Sequence, residues 1–343
     1  MWRSFFILLV FVVIGSSCTG PKQTSHPISE SGYTTSFPHR DISGDLRYLF
    51  HSVKRITSTA FYNTYVLAPT PSIYGKNVSR NRLEKLAARQ TYTNHSSAGT
   101  ALVLSTSESR VLLLTCAHVI TFPDTVVQYY PAERPGQLRP IKIVAYKDRQ
   151  TNLLIDNESL GYFDVIAVDQ KKDLALLGLY TQVQKVGRVT PMSFPAGDAK
   201  DLKMGSFTYT LGYPKGYPMI THAIVGDVMR SSYGAFLIDA SFNRGFSGGV
   251  VMALKGSGQH MEWVGVANSS SATTEYILKP DERDLKDEDV NDLYNGPIIL
   301  RQQNSIDYGI TKVIPINLVQ EFIRENQRVI RERGYVIPGQ FFH

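Results

Sequence analysis

The chain has 343 residues, which is enough for two average domains or for one larger unit with two lobes. Its composition, 43% hydrophobic and 19% charged, excludes a disordered, collagen-like or coiled-coil protein. The formal net charge of +6 is too small to specify nucleic acid or an anionic membrane as a partner. Two cysteines, Cys18 and Cys116, exclude a disulfide framework.

The first 17 residues have the pattern of a secretory signal peptide. Arg3 precedes an apolar run at residues 5–14, about half the roughly 20 residues that a membrane-spanning helix needs. Small residues then lead directly into Cys18, and this junction resembles that of bacterial lipoproteins, in which the cysteine is lipidated. The resemblance implies a membrane anchor at Cys18 and a place in the bacterial cell envelope, in the periplasm or at the outer membrane. An ordinary signal peptide with an incidental cysteine is the alternative.

The next segments differ in composition from the rest of the chain. Residues 18–41 are rich in Ser, Thr, Gly and Pro without an apolar period, and they are predicted to form a flexible tether. Residues 42–97 mix short apolar pieces with basic residues and are predicted as a lead-in segment that packs on or near the main domain. From residue 98 onward, short β-like runs separated by turn residues predict a sandwich or barrel.

Two features stand out in the C-terminal part. Residues 281–292 are mostly acidic and predict a solvated insertion, although a loop that shapes the specificity side of a cleft is the alternative. A helix is predicted from Pro315 to about residue 333, since proline suits a first helical turn and Gly334 can end the helix. Residues 334–343 are predicted to be a tail.

Three short motifs carry the residue types of a hydrolytic site. His118 follows an apolar strand in Thr-Cys-Ala-His, Asp173 precedes the apolar run Leu-Ala-Leu-Leu, and Ser247 lies in Gly-Phe-Ser-Gly-Gly. A serine nucleophile needs a base to accept its proton, a carboxylate to orient that base, and N–H groups that stabilise the oxyanion. Each motif alone is usually structural: a core histidine, a capping aspartate or a loop serine. Together, in this order and spaced by 55 and 74 residues, they predict a catalytic triad.

These motifs resemble the three signature blocks of trypsin-like serine proteases, especially those of the HtrA/Deg type. Residues 98–104 resemble the strand before the histidine, and residues 211–228 resemble the Gly-x-Pro … Gly-x-Val segment before the serine. Residues 308–317 resemble the closing strand and helix. The resemblance implies a protease domain at residues 98–333 with an all-β, chymotrypsin-like fold. That fold has two six-stranded β-barrels, a C-terminal helix, and the active site between the barrels.

The resemblance also implies a role for each residue of the triad. Ser247 would be the nucleophile, His118 the general base and then the acid, and Asp173 the carboxylate that orients the imidazole. The backbone N–H groups of Gly245 and Ser247 would form the oxyanion hole. The predicted activity is that of a serine endopeptidase acting through an acyl-enzyme on protein or peptide substrates.

Substrate recognition is implied for a second group of residues. The strand that contains Val266, Ala267 and Asn268 would pair with the backbone of an extended substrate, with plain barrel core as the compatible alternative. Ser241 would lie at the base of the first specificity pocket and, being uncharged, favours small or medium apolar side chains over Lys or Arg. Asp239 shares a face with Ser241 by strand alternation, so a negative charge in the pocket is the alternative.

The sequence departs from the family pattern at several positions. Phe246 stands where the family usually has Asn or Asp, Val250 where it often has Pro, and Cys116 where it has Ala or Asn. A bulky Phe246 beside the nucleophile would narrow the cleft or mark a weak enzyme. The alternative function is therefore an inactive protease-fold protein that binds peptides or protein partners. Cys116 is interpreted as a small, buried apolar residue.

Other chemistries find no support in the sequence. The other histidines lack metal-ligand spacing and there is no phosphate-binding Gly-Lys-Ser/Thr loop, so no metal or cofactor is expected. The basic lead-in lacks regularly interleaved aromatic residues, so no nucleic-acid partner is expected. Only about a dozen residues follow the predicted helix, so no PDZ domain is expected, and no pattern indicates the oligomeric state.

Overall fold

The computed structural model describes residues 32–35, 37, 40–69, 73–74, 79–131, 137–187, 189–228, 235–256, 260–280 and 298–342. The predicted signal peptide, Cys18, most of the tether and the acidic insertion lie outside these residues. No helix within the described ranges is long and apolar enough to cross a membrane.

The first half of the fold is a seven-stranded antiparallel sheet. Its strands are β1 Val53–Leu67, β2 Ala87–Ser107, β3 Arg110–Cys116, β4 Thr125–Tyr129, β5 Ile141–Leu154, β6 Asp164–Asp169 and β7 Leu174–Tyr180. They lie in the order β4-β5-β1-β2-β3-β7-β6. The sheet is a half-barrel, whereas the sequence predicted a closed barrel of six strands.

The second half is a closed barrel of six antiparallel strands. These strands are β8 Phe207–Gly212, β9 Met219–Asp227, β10 Phe236–Ile238, β11 Gly249–Lys255, β12 His260–Pro280 and β13 Ile298–Pro315, in the order β10-β13-β12-β11-β8-β9. The prediction of an all-β, chymotrypsin-like fold is confirmed.

The helices are short and mostly peripheral. They are α1 Ser43–Phe50, α2 Arg80–Leu86, α3 Ala117–Ile120, α4 Val183–Val186, α5 Ile316–Glu325 and α6 Gln327–Glu332. The last two form the predicted C-terminal helix, which is interrupted at Asn326. Asn326 leaves helical geometry while its side-chain amide donates to the carbonyl of Phe322. Gly334, with φ +76°, follows the end of the helix as predicted.

The predicted lead-in segment is part of the first sheet. β1 pairs with β5 on one side and with β2 on the other, so residues 53–67 form a central strand. This strand is difficult to predict from the sequence because its buried positions include small and polar residues, such as Ser58 and Ala60. A hydrophobic pattern with period two is therefore weak in this segment.

Two almost fully buried strands position the site. β3 and β7 are buried along almost their whole length and pair with each other from Arg110↔Tyr180 to Cys116↔Leu174. Their pairing ends where β3 ends and β7 begins. The residues that follow Cys116 and precede Leu174 are therefore brought together at one end of the sheet.

Candidate active site

His118 and Asp173 are neighbours because of this strand pairing. The N–H of Ala117 donates to the carbonyl of Asp173 across 3.1 Å, which continues the β3–β7 ladder by one bond. The backbone N–H of His118 donates to Asp173 Oδ1 at 2.8 Å, and His118 Nδ1 lies 2.6 Å from Asp173 Oδ2. Both carboxylate oxygens thus hold the same histidine, one through its backbone and one through its ring.

Asp173 has an unusual backbone conformation that its surroundings impose. Its φ is +54°, which is uncommon for a residue other than glycine, although aspartate tolerates it better than most. Upstream, Asp169 Oδ1 accepts the N–H groups of Lys171 and Lys172. The ammonium of Lys172 also binds Glu325 of α5 at 2.6 Å. The turn is therefore fixed at its start and against the C-terminal helix, which keeps Asp173 in place.

Asn268 connects the carboxylate of Asp173 to Ser247. Its side-chain amide donates a hydrogen bond to Asp173 Oδ2 at 2.8 Å, and its backbone carbonyl accepts a hydrogen bond from the hydroxyl of Ser247 at 2.9 Å. Ser247 thus directs its hydroxyl to Asn268 in this structure and not to the imidazole of His118. In structures without substrate, the hydrogen bonds of a catalytic serine are often long or misdirected and tighten only when substrate binds.

Residues 243–246, immediately before Ser247, form a β-turn of defined type. Phe246 N–H donates to the carbonyl of Asn243 at 3.1 Å, and Gly245 has φ +106°, which is the signature of a type II turn. The carbonyl of Arg244 accepts the N–H of Lys215 at 2.7 Å. Because a peptide's C=O and N–H point in opposite directions, this bond turns the N–H of Gly245 away from Lys215.

Two N–H groups of this turn have no protein partner within the described residues. Among the described residues, the N–H groups of Gly245 and Ser247 donate to no acceptor, whereas the intervening Phe246 and the following Gly248 both donate to carbonyls. The turn is also held from outside, since Thr100 donates its hydroxyl to the carbonyl of Gly245 at 2.6 Å. These are the two N–H groups that the sequence predicts as an oxyanion hole.

Glycine is required at position 248 by close packing. Gly248 has φ +89°, and a Cβ atom there would collide with the carbonyl oxygen of Thr100. The N–H of Thr100 in turn donates to the carbonyl of Ser247 at 2.8 Å. β2 of the first sheet therefore lies directly against the backbone of Ser247.

Phe246 does not narrow the cleft, contrary to the sequence-based expectation. Its side chain is 1% exposed and contacts Phe242, with ring centroids 5.8 Å apart, inside the second barrel. Because neighbouring residues of the turn point in different directions, Ser247 faces the cleft while Phe246 faces the core. The aromatic ring thus anchors the turn to the core of the second barrel.

Replacing Phe246 by alanine should therefore destabilise the protein by about 3–5 kcal/mol, the usual cost of emptying a buried phenylalanine site. The free energy of unfolding, measured by chemical denaturation, checks this value. A Phe246→Leu control keeps most of the volume and should cost less than about 1.5 kcal/mol. Equal stability of the alanine variant and the parent protein would contradict the assigned anchoring role.

Cys116 is the small buried residue that the sequence predicts. Its side chain is fully buried, and burial first and the nearby Asp173 carboxylate second raise the pKa of the thiol well above its ordinary value. Its Sγ, one ring nitrogen of His118 and a carboxylate oxygen of Asp173 lie within 4.8 Å of one another. A thiol kept protonated in this way is a poor metal ligand, and the carboxylate already binds the imidazole.

The predicted substrate strand lies partly in the barrel core. Val266 and Ala267 are buried and pair with β11 on one side and with β13 on the other, so their backbones are not available to a substrate. The pairing with β11 ends at Ala267, and Asn268 is the first residue beyond it. The core interpretation therefore holds for Val266 and Ala267.

The two predicted pocket residues differ in their surroundings. Ser241 is exposed, in the loop that follows β10. The carboxylate of Asp239 accepts the N–H of Ile224 on β9 at 2.6 Å. Asp239 is thus bound to the barrel wall, which argues against the alternative that it supplies a negative charge to the pocket.

Sequence motifs predicted His118, Asp173 and Ser247 but not the residues that hold them in place. Thr100, Lys215 and the side chain of Asn268 all fix the site, yet each acts on a residue far away along the chain. The contact of Thr100 with Gly245 spans 145 residues. No local pattern signals such a contact, because it arises only when the two halves of the fold meet.

Comparison with known proteins agrees with this geometry. Residues 99–258, a little less than half of the chain, match the family model described as a trypsin-like peptidase domain. No curated protein sequence matches the chain. Among solved structures, the crystal structure of Deg5 is 16% identical, covers 66% of this chain and 86% of its own, and has a TM-score of 0.34. The fold and the family model together support a protease-fold protein.

Proposed function

We propose that the protein is a serine endopeptidase of the HtrA/Deg type that cleaves peptide bonds through an acyl-enzyme. The observation that carries the proposal is the pair of N–H groups at Gly245 and Ser247, which meet no acceptor in the described part of the chain and lie close to a serine hydroxyl. A bound histidine–carboxylate pair is part of the same site. An oxyanion hole, a nucleophile and an oriented base are the parts that acyl transfer requires.

The first half of the reaction forms the acyl-enzyme. The hydroxyl of Ser247 rotates from Asn268 towards Nε2 of His118, which accepts its proton as Oγ attacks the substrate carbonyl. The carbonyl oxygen becomes an oxyanion that accepts the N–H groups of Gly245 and Ser247. When the intermediate collapses, the C–N bond breaks and the leaving nitrogen takes the proton from His118.

The second half repeats these steps with water. His118 accepts a proton from a water molecule as the water oxygen attacks the ester carbonyl of the acyl-enzyme. When this second intermediate collapses, His118 returns the proton to Ser247 Oγ and the carboxylic acid product leaves. Asp173 acts throughout by accepting the Nδ1–H of His118, which leaves Nε2 free to accept a proton. Asn268 is a positioning residue, since its amide fixes the carboxylate oxygen that faces the imidazole.

The proposed substrates are proteins or peptides with a small or medium apolar side chain at the cleaved position. Two observations support this preference over Lys or Arg. Ser241 is exposed and uncharged, and the carboxylate of Asp239 is hydrogen-bonded to the backbone of β9. Hydrolysis of a peptide series that varies only at this position tests it. A higher kcat/KM for Lys or Arg than for Ala, Val or Leu would contradict it.

A second candidate is an inactive protease-fold protein that binds peptides. The observation in its favour is the hydrogen bond of Ser247 to Asn268 in place of His118. A fluorophosphonate probe separates the two candidates, because it reacts only with an activated serine. Labelling that disappears in a Ser247→Ala variant supports the enzyme. Absence of Ser247-dependent labelling in folded protein would refute it.

We further propose that the protein is exported and lipid-anchored at Cys18 in the bacterial cell envelope. The sequence of residues 1–18 supports this proposal. Cells that produce the protein should incorporate radiolabelled palmitate into it, and a Cys18→Ala variant should lose the label. Cys116→Ala serves as the matched control and should keep the label. Equal labelling of the Cys18→Ala variant and the parent protein would refute the anchor.

A further inference from the structure

β12 and β13 continue beyond the second barrel as a two-stranded ribbon. After an irregularity at residues 270–272 of β12, residues 272–280 pair with residues 298–306 of β13 in a regular antiparallel register. Within the described part of the chain, these two segments pair only with each other, since β11 and β10 pair with β12 and β13 inside the barrel. The ribbon therefore projects from the barrel without a third strand.

One face of the ribbon carries large apolar side chains. Directly opposed residues of an antiparallel pair share a face, and so do alternate residues of one strand. Leu278 is directly opposite Leu300. Tyr276 and Ile298 each lie two residues before one of these leucines and therefore share their face. These four side chains, which form the apolar face of the ribbon, are 62–70% exposed.

The opposite face of the ribbon is mixed and less open. Its residues pair as Ile277↔Arg301 and Lys279↔Ile299, so each charged residue lies opposite an isoleucine. Both isoleucines are half-buried, whereas all four members of the apolar face are exposed. A sheet usually turns its apolar face to the core and its charged face to water. Because this ribbon exposes the uncharged face, and contiguous exposed apolar patches commonly mark binding sites, the apolar face is a candidate binding surface.

The ribbon leads away from the active site. It follows Asn268, whose carbonyl accepts a hydrogen bond from the hydroxyl of Ser247. Tyr276 and Leu278 come eight and ten residues after Asn268. At the rise of a β-strand, this places them about 25–35 Å farther along β12. The apolar face is thus too remote to contact the reacting atoms, but it is within reach of a chain that is bound there.

The position of His118 decides which part of a substrate comes near the ribbon. His118 gives its proton to the leaving nitrogen, so the chain that follows the cleaved bond departs on the side of His118 and the first sheet. The chain that precedes the bond stays attached to Ser247, which belongs to the second barrel, as the ribbon does. An extended chain covers the distance to the apolar face in about eight to ten residues.

The size of the apolar face favours such a tethered segment over a free partner. Four exposed side chains offer an area on the order of 500 Å². A stable complex of two proteins buries about 800 Å² on each partner, so a second copy of the chain would need further contacts. A small contact is sufficient for a chain that is already held at the active site, because the linkage raises the effective concentration of the second contact.

The N-terminal chain and the charge beside the ribbon argue against a bilayer as the partner. Tyr33 bridges to Lys255 at the end of β11, and its hydroxyl donates to Glu262 near the start of β12 at 2.8 Å. The chain that leads from Cys18 thus joins the barrel at the start of β12, whereas the apolar face lies near its end. Residues 281–292, which follow β12 in the sequence, contain seven acidic and two basic residues. Such a charge disfavours contact with anionic lipid.

We propose that the apolar face binds an apolar segment of the substrate polypeptide that lies about eight to ten residues before the cleaved bond. This inference rests on the proposed endopeptidase function and names its substrate class: polypeptides that carry a cluster of large apolar side chains at this distance. The apolar face selects among substrates by affinity and takes no part in the chemical step.

Quenched fluorescent peptides that differ only in the place of an apolar segment test the proposal. All carry Ala before the cleaved bond in a background of Ser and Thr, with Phe-Trp-Phe centred four or nine residues before the bond, or absent. The segment at nine residues should raise kcat/KM about tenfold over the peptide without it. The gain should come from a lower KM at unchanged kcat, because a remote contact is equal in the ground state and the transition state. The segment at four residues does not reach the apolar face and should give less than about twofold.

A variant of the ribbon provides a second test. Combining Leu278→Ser with Leu300→Ser removes the opposed pair at the centre of the apolar face. The gain from the segment at nine residues, expressed relative to the peptide without it, should fall below about twofold. Leu138→Ser is the matched control, since Leu138 is an equally exposed leucine before β5, and it should keep the gain. The peptide series acts on the parent protein, so the test does not depend on the folding of the variant.

The outcomes distinguish this inference from the function on which it rests. Cleavage with equal KM for all peptides, or a gain that persists in the double variant, would overturn the inference alone. A dimeric parent protein with a monomeric double variant, measured by light scattering, would assign the apolar face to a second copy and overturn it. Binding of a Cys18→Ala protein to phospholipid vesicles, lost with the double variant, would assign it to a membrane and overturn it. Absence of both cleavage and Ser247 labelling would overturn the proposed function, and the inference with it.

Discussion

Replacement of Ser247 by alanine is expected to lower kcat by about a millionfold, because the variant has no nucleophile to form the acyl-enzyme. The loss should appear in kcat and not in KM, since the side chain is small and its backbone contacts with Thr100 remain. Hydrolysis of a quenched peptide, normalised to folded protein, measures the effect. A small residual rate above the uncatalysed reaction is expected from the N–H groups of Gly245 and Ser247.

The matched control is Ser43→Ala, which removes an exposed serine of α1 far along the chain from the site motifs. It should cleave the peptide like the parent protein. A Ser247→Ala variant that retains a tenth or more of the activity would show that another group performs the attack. It would also remove the basis for assigning the oxyanion role to Gly245.

Replacement of Asp173 by asparagine is expected to lower kcat by about ten thousandfold. The amide can donate a hydrogen bond to Nδ1 of His118, and this favours the tautomer in which Nε2 carries the proton. A histidine in that tautomer cannot accept the proton of Ser247. The variant also loses the negative charge that stabilises the imidazolium as it forms, 2.6 Å from the carboxylate.

The same peptide assay measures the Asp173→Asn variant, with Asp164→Asn as the control. Asp164 is an exposed aspartate at the start of β6, and its replacement should leave kcat within about twofold, in line with the small effects of most surface changes. Thermal unfolding confirms that both variants fold. An Asp173→Asn variant with nearly normal kcat would refute the role of Asp173 in orienting His118.

The sequence predicted the centre of the site because its determinants are local. Each motif combines an apolar strand with an adjacent polar residue, and the pairing of β3 with β7 brings two of these residues together. The fold class followed from the same motifs through their family resemblance. Such features are readable because a strand, its end and the following turn lie within a few residues of each other.

The remaining features depend on contacts between distant parts of the chain. β1 was missed as a sheet strand because its buried positions carry serine and alanine. Phe246 was expected in the cleft, since the sequence does not reveal which side of the turn faces the second barrel. The backbone of Asp173, with positive φ, is fixed by a turn and by the bond of Lys172 to α5, and these act jointly only in the folded protein.

The central claim is that the turn before Ser247 forms a ready oxyanion hole next to an activated serine. A crystal structure of the protein after reaction with a fluorophosphonate tests it most directly. The account predicts phosphorus bonded to Ser247 Oγ, with one phosphonate oxygen about 2.7–3.1 Å from the nitrogens of both Gly245 and Ser247. A phosphonate attached elsewhere, or a carbonyl of Arg244 turned into the site in place of the N–H of Gly245, would contradict it.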